Sequence, residues 1–430
     1  MSRSTLKGSS SAVLVLSLII ASCTSAQDSL PDPTGEERPE PRWWQDEDGK
    51  GFFEGEWWKK DKDKNKEKDK EASSETSENQ TANSGSKAPS RKGYTTLRNP
   101  GSKDSWDMYN SQVIKVGDGF KKMYWGDPTV LKEGDTFRMW FTGGNFKGLN
   151  HVRVYTATSK DGIKWKINTK PVLSEGESGS WDDERTETPS VIKVGKTYHM
   201  YYTGFKTGDA ISRFNIGHAT SKDGIKWKKD RNNPVISNHD DIANWGFYYT
   251  GEPGVVFNPK DKLFYLYYGT ARANYDYKGK NSDLQSTSAI VLATSKNGSK
   301  FKLYDRDGDG KQDAVFEPGS YYSTAKDFRG YSTPHALIGS DGKFHLFTDA
   351  INAKKGWKQA ALVHSVSDDG KSFSTVSNDI VTRGNAKWIA REVIGPTVIE
   401  EDGEFLMWFG GHGHDYTKDF GISFARKTLD

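Results

Sequence analysis

Residues 126–143 read Gly-Asp-Pro-Thr-Val-Leu-Lys-Glu-Gly-Asp-Thr-Phe-Arg-Met-Trp-Phe-Thr-Gly. An X-Pro step opens the stretch, a short apolar run follows, the chain turns on Gly134-Asp135, and an aromatic strand returns. Short alternating runs that break at Gly or Asp describe antiparallel strands and very little helix. The same plan recurs as ETPSVIKVGKTYHMYYTG from Glu187, GEPGVVFNPKDKLFYLYYGT from Gly251, STPHALIGSDGKFHLFTDA from Ser332 and IGPTVIEEDGEFLMWFGG from Ile394. The anchoring prolines are Pro128, Pro189, Pro253, Pro334 and Pro396, longest apart between the third and fourth copies. A spacing of roughly sixty residues fits the blades of a propeller with generous loops.

A third strand follows, marked by Ser-Lys-Asp-Gly-Ile-Lys-Trp at Ser159 and Ser221, Ser295-Lys296-Asn297-Gly298, and Ser367-Asp368-Asp369-Gly370. Asp-Gly and Asn-Gly supply the positive φ angles of tight turns. A fourth strand is read at Pro171-Val172-Leu173, Pro234-Val235-Ile236, Ala314-Val315-Phe316 and Asp379-Ile380-Val381, whereas the fifth copy stops after its third, at Gly421–Ala425. Gln112-Val113-Ile114, just before the first copy, is the leftover strand that would complete it. The expected fold is therefore all-β, a five-bladed β-propeller over 94–430, with the ring closed by an N-terminal strand pairing in the last blade. Closure hides strand edges.

The chain before this domain is of another kind. Positive residues, an apolar run from Ala12 to Ile20, and Ala21-Ser22 ahead of Cys23 read as a secretory signal over 1–22, too short to span a membrane. Cys23, the single cysteine, sits where the lipobox of bacterial lipoproteins carries its acylated residue. Residues 23–93 hold a run of alternating charge from Lys59 to Lys70 and then a Ser/Thr/Asn/Gly stretch, with too little apolar area to offset backbone entropy. They read as a tether, with Trp43, Trp44, Trp57 and Trp58 unexplained. The expected location is the bacterial cell envelope, lipid-anchored, on the periplasmic or outer face. A net charge of +3 offers nothing to nucleic acid, and a monomer is expected.

In a propeller the residue before each proline begins an innermost strand, so all five ring one mouth of the channel. That ring reads Asp127, Thr188, Glu252, Thr333 and Gly395, with Glu187 beside Thr188. Two acids across a pocket suit glycosidic cleavage, one donating a proton and one activating water or attacking. The plainer reading is that acids before proline only shape turns. The pattern resembles the five-bladed propeller superfamily of glycoside hydrolase families 43, 32, 68 and 130, on the repeat plus Gly126-Asp127-Pro128 and Gly251-Glu252-Pro253. The resemblance implies Asp127 as general base or nucleophile and Glu252 as acid. Those families take a third acid from the second blade, where this chain has Thr188 and Ser190. Glu187 is the candidate substitute, with Asp183 the alternative.

Trp125 is a candidate stacking platform for sugar, as are Trp181, Trp245 and Trp388 on comparable loops. Arg272, Arg391 and His412 would surround the mouth as substrate-binding groups, and His335 follows Pro334 into the channel; the tryptophans and His335 each have a packing role as their alternative. The segment 271–288 follows a second strand and would form a rim or lid at the mouth. Asp305, Asp307, Asp309, Lys311 through its carbonyl, and Asp313 match the first nine positions of an EF-hand-type loop, with Phe316 where the bidentate Glu belongs. Structural calcium is expected there, on the loop joining strands three and four. The function expected is cleavage of poly- or oligosaccharide; the alternative is a non-catalytic carbohydrate-binding or surface-interaction propeller.

Overall fold

The computed structural model describes residues 91–99, 101–145, 152–207, 214–237, 250–272, 287–317, 328–352 and 358–429. These form an all-β molecule whose only regular α-helix, among the described residues, is the single turn Tyr416–Asp419. Cys23 and the tether as far as residue 90 lie outside the described residues, as do Trp245 and 273–286.

The strands fall into five antiparallel meanders that follow the repeat. Unit 1 comprises Met123–Glu133, Thr136–Asn145, Arg153–Ser159 and Lys166–Leu173. Unit 2 comprises Arg185–Val194, Thr197–Phe205, Phe214–Ser221 and Trp227–Lys229. Unit 3 comprises Thr250–Asn258, Leu263–Arg272 and Thr287–Ser295, with an outer strand in two pieces, Lys302–Leu303 and Ala314–Phe316. Unit 4 comprises Phe328–Ile338, Phe344–Asn352, Lys358–Ser367 and Ser374–Ser377. Unit 5 comprises Glu392–Glu401, Glu404–His412 and Gly421–Thr428.

The N-terminal segment does join unit 5, with a shifted register. Trp106–Tyr109 pairs with the last strand through Asp107↔Arg426 and Met108↔Ala425, and Tyr94–Leu97 pairs outside it. The predicted Gln112–Ile114 contributes only the isolated bridge Ile114↔Ile422. Outer strands elsewhere also begin earlier than the sequence suggested; Ile236 and Thr382 are single bridges beyond the main pairing. Hydrogen-bonded sheets number four for the five meanders, because units 3 and 4 are joined by one parallel pair, Ser288↔Gly330, and among the described residues no sheet closes on itself. Continuity around the axis comes from packing: each inner strand lies against the next, and that of unit 5 lies against that of unit 1.

Two sets of side-chain bonds tie neighbouring units. At the turn end, an aromatic residue of the second strand donates to a glycine carbonyl in the next unit. Trp140 Nε1 reaches Gly224 O at 2.8 Å, Tyr201 Oη reaches Gly298 O at 2.6 Å, Tyr267 Oη reaches Gly370 O at 2.7 Å and Trp408 Nε1 reaches Gly162 O at 2.8 Å. Nearer the axis, Val191 N donates to Thr129 Oγ1, Val255 N to Ser190 Oγ and Val130 N to Thr397 Oγ1. Gly254 is required where the axis is tightest, since a Cβ there would collide with the Pro334 backbone.

Candidate active site

The five pre-proline residues share one backbone conformation. Asp127, Thr188, Glu252, Thr333 and Gly395 have φ of 48°, 49°, 56°, 44° and 60°. Each sits at a break in the ladder between the first and second strands of its unit. Left-handed backbone costs a non-glycine residue ~1–2 kcal/mol, so four such residues in one ring are a store of strain of the kind found at functional sites. All five line a single axial cavity together with their prolines, Thr129, Ser190 and His335.

The bulges free backbone N–H groups, and side chains of the preceding unit accept them. Thr188 N donates to Thr142 Oγ1 at 2.8 Å and Glu252 N to Thr203 Oγ1 at 2.8 Å. Thr142 and Thr203 occupy equivalent places on the second strands, paired with Gly126 and Glu187. Unit 3 has Gly269 there, and Thr333 N instead donates to Glu252 Oε2 at 3.0 Å. Unit 4 has Asp349 there, paired with Ser332. Its carboxylate accepts both the Ser332 and Thr333 hydroxyls, and Gly395 N at 3.4 Å. Thr333 thus bridges two buried carboxyls, Glu252 and Asp349.

Burial dominates the electrostatics. It pushes Asp127 up to about 6, with Glu392 adding and the Thr142 hydroxyl opposing. Asp349 rises to about 7, again through burial, against the donors from Ser332, Thr333 and Gly395. Glu252 is raised well above the carboxylate range by burial first and by Asp349 next, with Asp127 and Glu187 contributing. Asp127 and Glu252, shifted this way in one cavity with Asp349 behind Thr333, are suited to holding and releasing protons near neutral pH.

Above the ring, unit 2 brings Arg185 and Glu187 to the same face, both buried, with Nε and Oε2 3.7 Å apart. The Arg185 guanidinium lies 3.7 Å from the Phe205 ring centroid. Tyr124 of unit 1 feels both charges, and Asp127 as well. On the other side, Glu392 Oε2 accepts His412 Nε2 at 2.9 Å, and the His412 ring stacks on Phe420.

The predicted site residues divide accordingly. Asp127 and Glu252 line the cavity together, and Glu187 is linked to them electrostatically. His412 reaches the mouth through Glu392. Trp125 is a correction: it has no exposed surface and packs edge-on against Phe141 and Tyr155, so it is core. His335 lines the cavity, but its Nε2 donates to Val398 O at 2.8 Å, which makes it a brace between units 4 and 5. Arg391 donates through Nε to His414 Nδ1 at 3.1 Å, at the surface. Arg272 ends its strand at this mouth, and its side chain is outside the described residues. Asp183 caps a loop through the N–H groups of Gly179 and Thr207. Trp181 fills space beside Gly204 and Gly217, and Trp388 bonds Ser423.

Asp349, Arg185 and Glu392 were missed. Asp349 carried a readable signal, since Phe347-Thr348-Asp349-Ala350 stands where the other copies have only Gly and Thr. Arg185 and Glu392 each precede the aligned repeat, three residues before the pre-proline position, and so fell outside the comparison.

The acidic loop interrupts the outer strand of unit 3, between Leu303 and Ala314, instead of joining strands three and four. Carboxylate oxygens of Asp305, Asp307 and Asp313 come within 4.8 Å of one another. Asp309 and Lys311 are not in that group; Asp309 accepts Lys311 N at 2.8 Å. Phe316 is buried core, so no ligand comes from the twelfth position.

No family model matches the chain. An uncharacterized protein of Mycobacterium tuberculosis is 23% identical over 295 residues, covering 68% of this chain and 88% of its own. A 1,2-β-oligomannan phosphorylase of a Thermoanaerobacter species is 37% identical over 78 residues, 18% of this chain and 25% of its own. Among solved structures, a thermostable family-43 glycoside hydrolase matches with a TM-score of 0.52 at 17% identity, over 70% of this chain and 88% of its own. A structure from the family-130 mannoside phosphorylases, which contain glycoside hydrolases targeting β-1,2 mannosidic linkages in Candida mannan, matches at 0.53 and 14%, over 78% and 95%. The chain thus has a propeller-like fold, and its structural neighbours are glycoside hydrolases of the propeller families 43 and 130.

Proposed function

We propose that the protein is a five-bladed β-propeller glycoside hydrolase, cleaving a poly- or oligosaccharide with Glu252 as proton donor and Asp127 as base or nucleophile. The observation that carries this reading is the sharing of one axial cavity by two carboxyls with different proton affinities. Glu252 is held protonated by burial and by Asp349, while Asp127 is pushed only to about 6. Glu252 gives its proton to the glycosidic oxygen as the bond to the anomeric carbon breaks. Asp127 then either takes a proton from the attacking water or bonds to that carbon itself. The ring reading is supported by the bonds Val130 N to Thr397 Oγ1 and Trp408 Nε1 to Gly162 O, which link unit 5 to unit 1.

Turnover of aryl arabinosides, xylosides, galactosides, mannosides and fructosides tests the reading. At least one is expected to be hydrolysed, with a loss of about 10²–10⁴-fold in Asp127→Asn and in Glu252→Gln. Glycan binding without turnover in the unmodified protein would leave a binding propeller instead.

We further propose attachment to the bacterial envelope through lipid on Cys23. Incorporation of labelled palmitate that survives Cys23→Ser would refute it. We also propose calcium, of structural use only, at Asp305, Asp307 and Asp313, whose hard oxygen donors suit that ion.

A further inference from the structure

We propose that Arg185 and Glu187 form a recognition pair, donor and acceptor for two adjacent hydroxyls of an uncharged sugar. The inference deepens the carbohydrate reading above and rests on it. Arg185 has no exposed surface, and its Nε, Nη1 and Nη2 have no hydrogen-bond partner. Glu187 Oε2, 3.7 Å from Nε, balances the charge from beyond hydrogen-bond distance of that atom. Leaving a charged donor buried and unbonded is among the costliest arrangements a fold can carry. Folding offers no reason for it, because the equivalent place in unit 1 is filled by Tyr124, which packs against Phe420. The guanidinium is nevertheless held against the Phe205 ring, 3.7 Å from its centroid, so its place is set before any ligand arrives.

The pair also lies within electrostatic reach of the groups around both proposed catalytic residues. Tyr124 registers Glu187, Arg185 and Asp127 together, and Glu252 registers Glu187 and Asp127. Charge decides the ligand class. Arg185 and Glu187 cancel, and burial moves Asp127, Glu252 and Asp349 toward their uncharged forms. An anionic ligand would meet Glu187 as well as Arg185 and gain little. Two neighbouring hydroxyls match instead: the rigid guanidinium fork donates to their oxygens and the carboxylate accepts a hydroxyl proton. A site built on such bonds rejects an analogue lacking one of those hydroxyls far more strongly than a pocket that merely fits.

Calorimetric binding of methyl mannoside, galactoside, xyloside and arabinofuranoside, beside methyl glucuronide and inorganic phosphate, tests this without requiring turnover. At least one neutral glycoside is expected to bind, weakened about tenfold or more in Arg185→Gln and Glu187→Gln. Arg185→Lys should not rescue, since an ammonium cannot reproduce the fork. The paired variant Arg185→Met with Glu187→Leu should keep or raise Tm while losing the sugar, because it removes a buried ion pair entirely. Tighter binding of glucuronide or phosphate, no binding by any neutral glycoside, unchanged affinity in Arg185→Gln, or collapse of the paired variant would each overturn the proposal. Binding that follows the expected pattern in a protein that hydrolyses nothing would sink the hydrolase reading and leave the recognition pair standing.

Discussion

The two ends of the repeat carry similar residues and have opposite physics. At the turn end, Ser159, Ser221, Ser295 and Ser367 each accept a glycine N–H, at 2.9–3.0 Å. The carboxylates that follow are satisfied by backbone donors: Asp161 takes the N–H groups of Ile163 and Lys164, and Asp223 those of Ile225 and Lys226. Those bonds hold Asp161, Asp223 and Asp369 below the usual carboxylate range. At the mouth, Asp127, Glu252 and Asp349 are buried and pushed the other way. The turn end repeats one solution because every unit must lock to the next. The mouth diverges position by position, as expected where each unit contributes a different group to one ligand. Stability is concentrated at one end and strain at the other.

Exchanging the consequences of mutation between the ends would break that contrast. The largest effect expected is at the mouth: the double variant Asp127→Asn with Glu252→Gln should lose all measurable glycoside turnover yet melt at or above the wild-type temperature. At the turn end, Tyr267→Phe strands the Gly370 carbonyl. It should cost about 1–3 kcal/mol by denaturant titration and leave kcat/KM unchanged; a catalytic loss there would contradict the division.

A pH series sharpens the comparison. Asp127 has a folded value of about 6 against 3.8, so its contribution to stability is present at low pH and is lost as pH rises through that window. The Tm advantage of Asp127→Asn over wild type should therefore be near zero at pH 3.8 and grow to a plateau above pH 6. His199, hydrogen-bonded to His218 away from the mouth, falls from 6.5 to about 4 through burial. Its penalty has the opposite sign, so His199→Gln should gain on wild type as pH falls from 6.5 toward 4. Identical pH trends in the two variants would show that the mouth is electrostatically ordinary. The smallest effect expected is at the acidic loop of unit 3, where removing calcium with a chelator should lower Tm by a few degrees at most and leave activity intact; an unchanged Tm on adding millimolar calcium back would dismiss the ion.

Much of this was legible beforehand for identifiable reasons. The five X-Pro strands follow from local alternation and turn chemistry, which residues such as Pro128 and Asp161 write directly into the chain. Asp127 and Glu252 could be placed at one mouth because the repeat assigns each a strand position. Trp125 is core rather than platform because packing on both sides of an inner strand depends on the neighbouring unit. Asp349 lies on a second strand, so its closeness to Glu252 depends on the pitch between units 3 and 4.

By itself, then, the amino-acid sequence determined the five meanders, the direction in which each runs, and the acids that stand before the prolines of the first and third. Tertiary structure alone decided that the N-terminal strand paired in unit 5 is Trp106–Tyr109, that Thr333 bridges Glu252 and Asp349, and that Arg185 is buried beside Glu187 with its donors unspent. The physical reason is range: hydrophobic alternation and turn preferences act over a few neighbouring residues. Burial, proton affinity and hydrogen-bond satisfaction depend on what distant units place against a side chain.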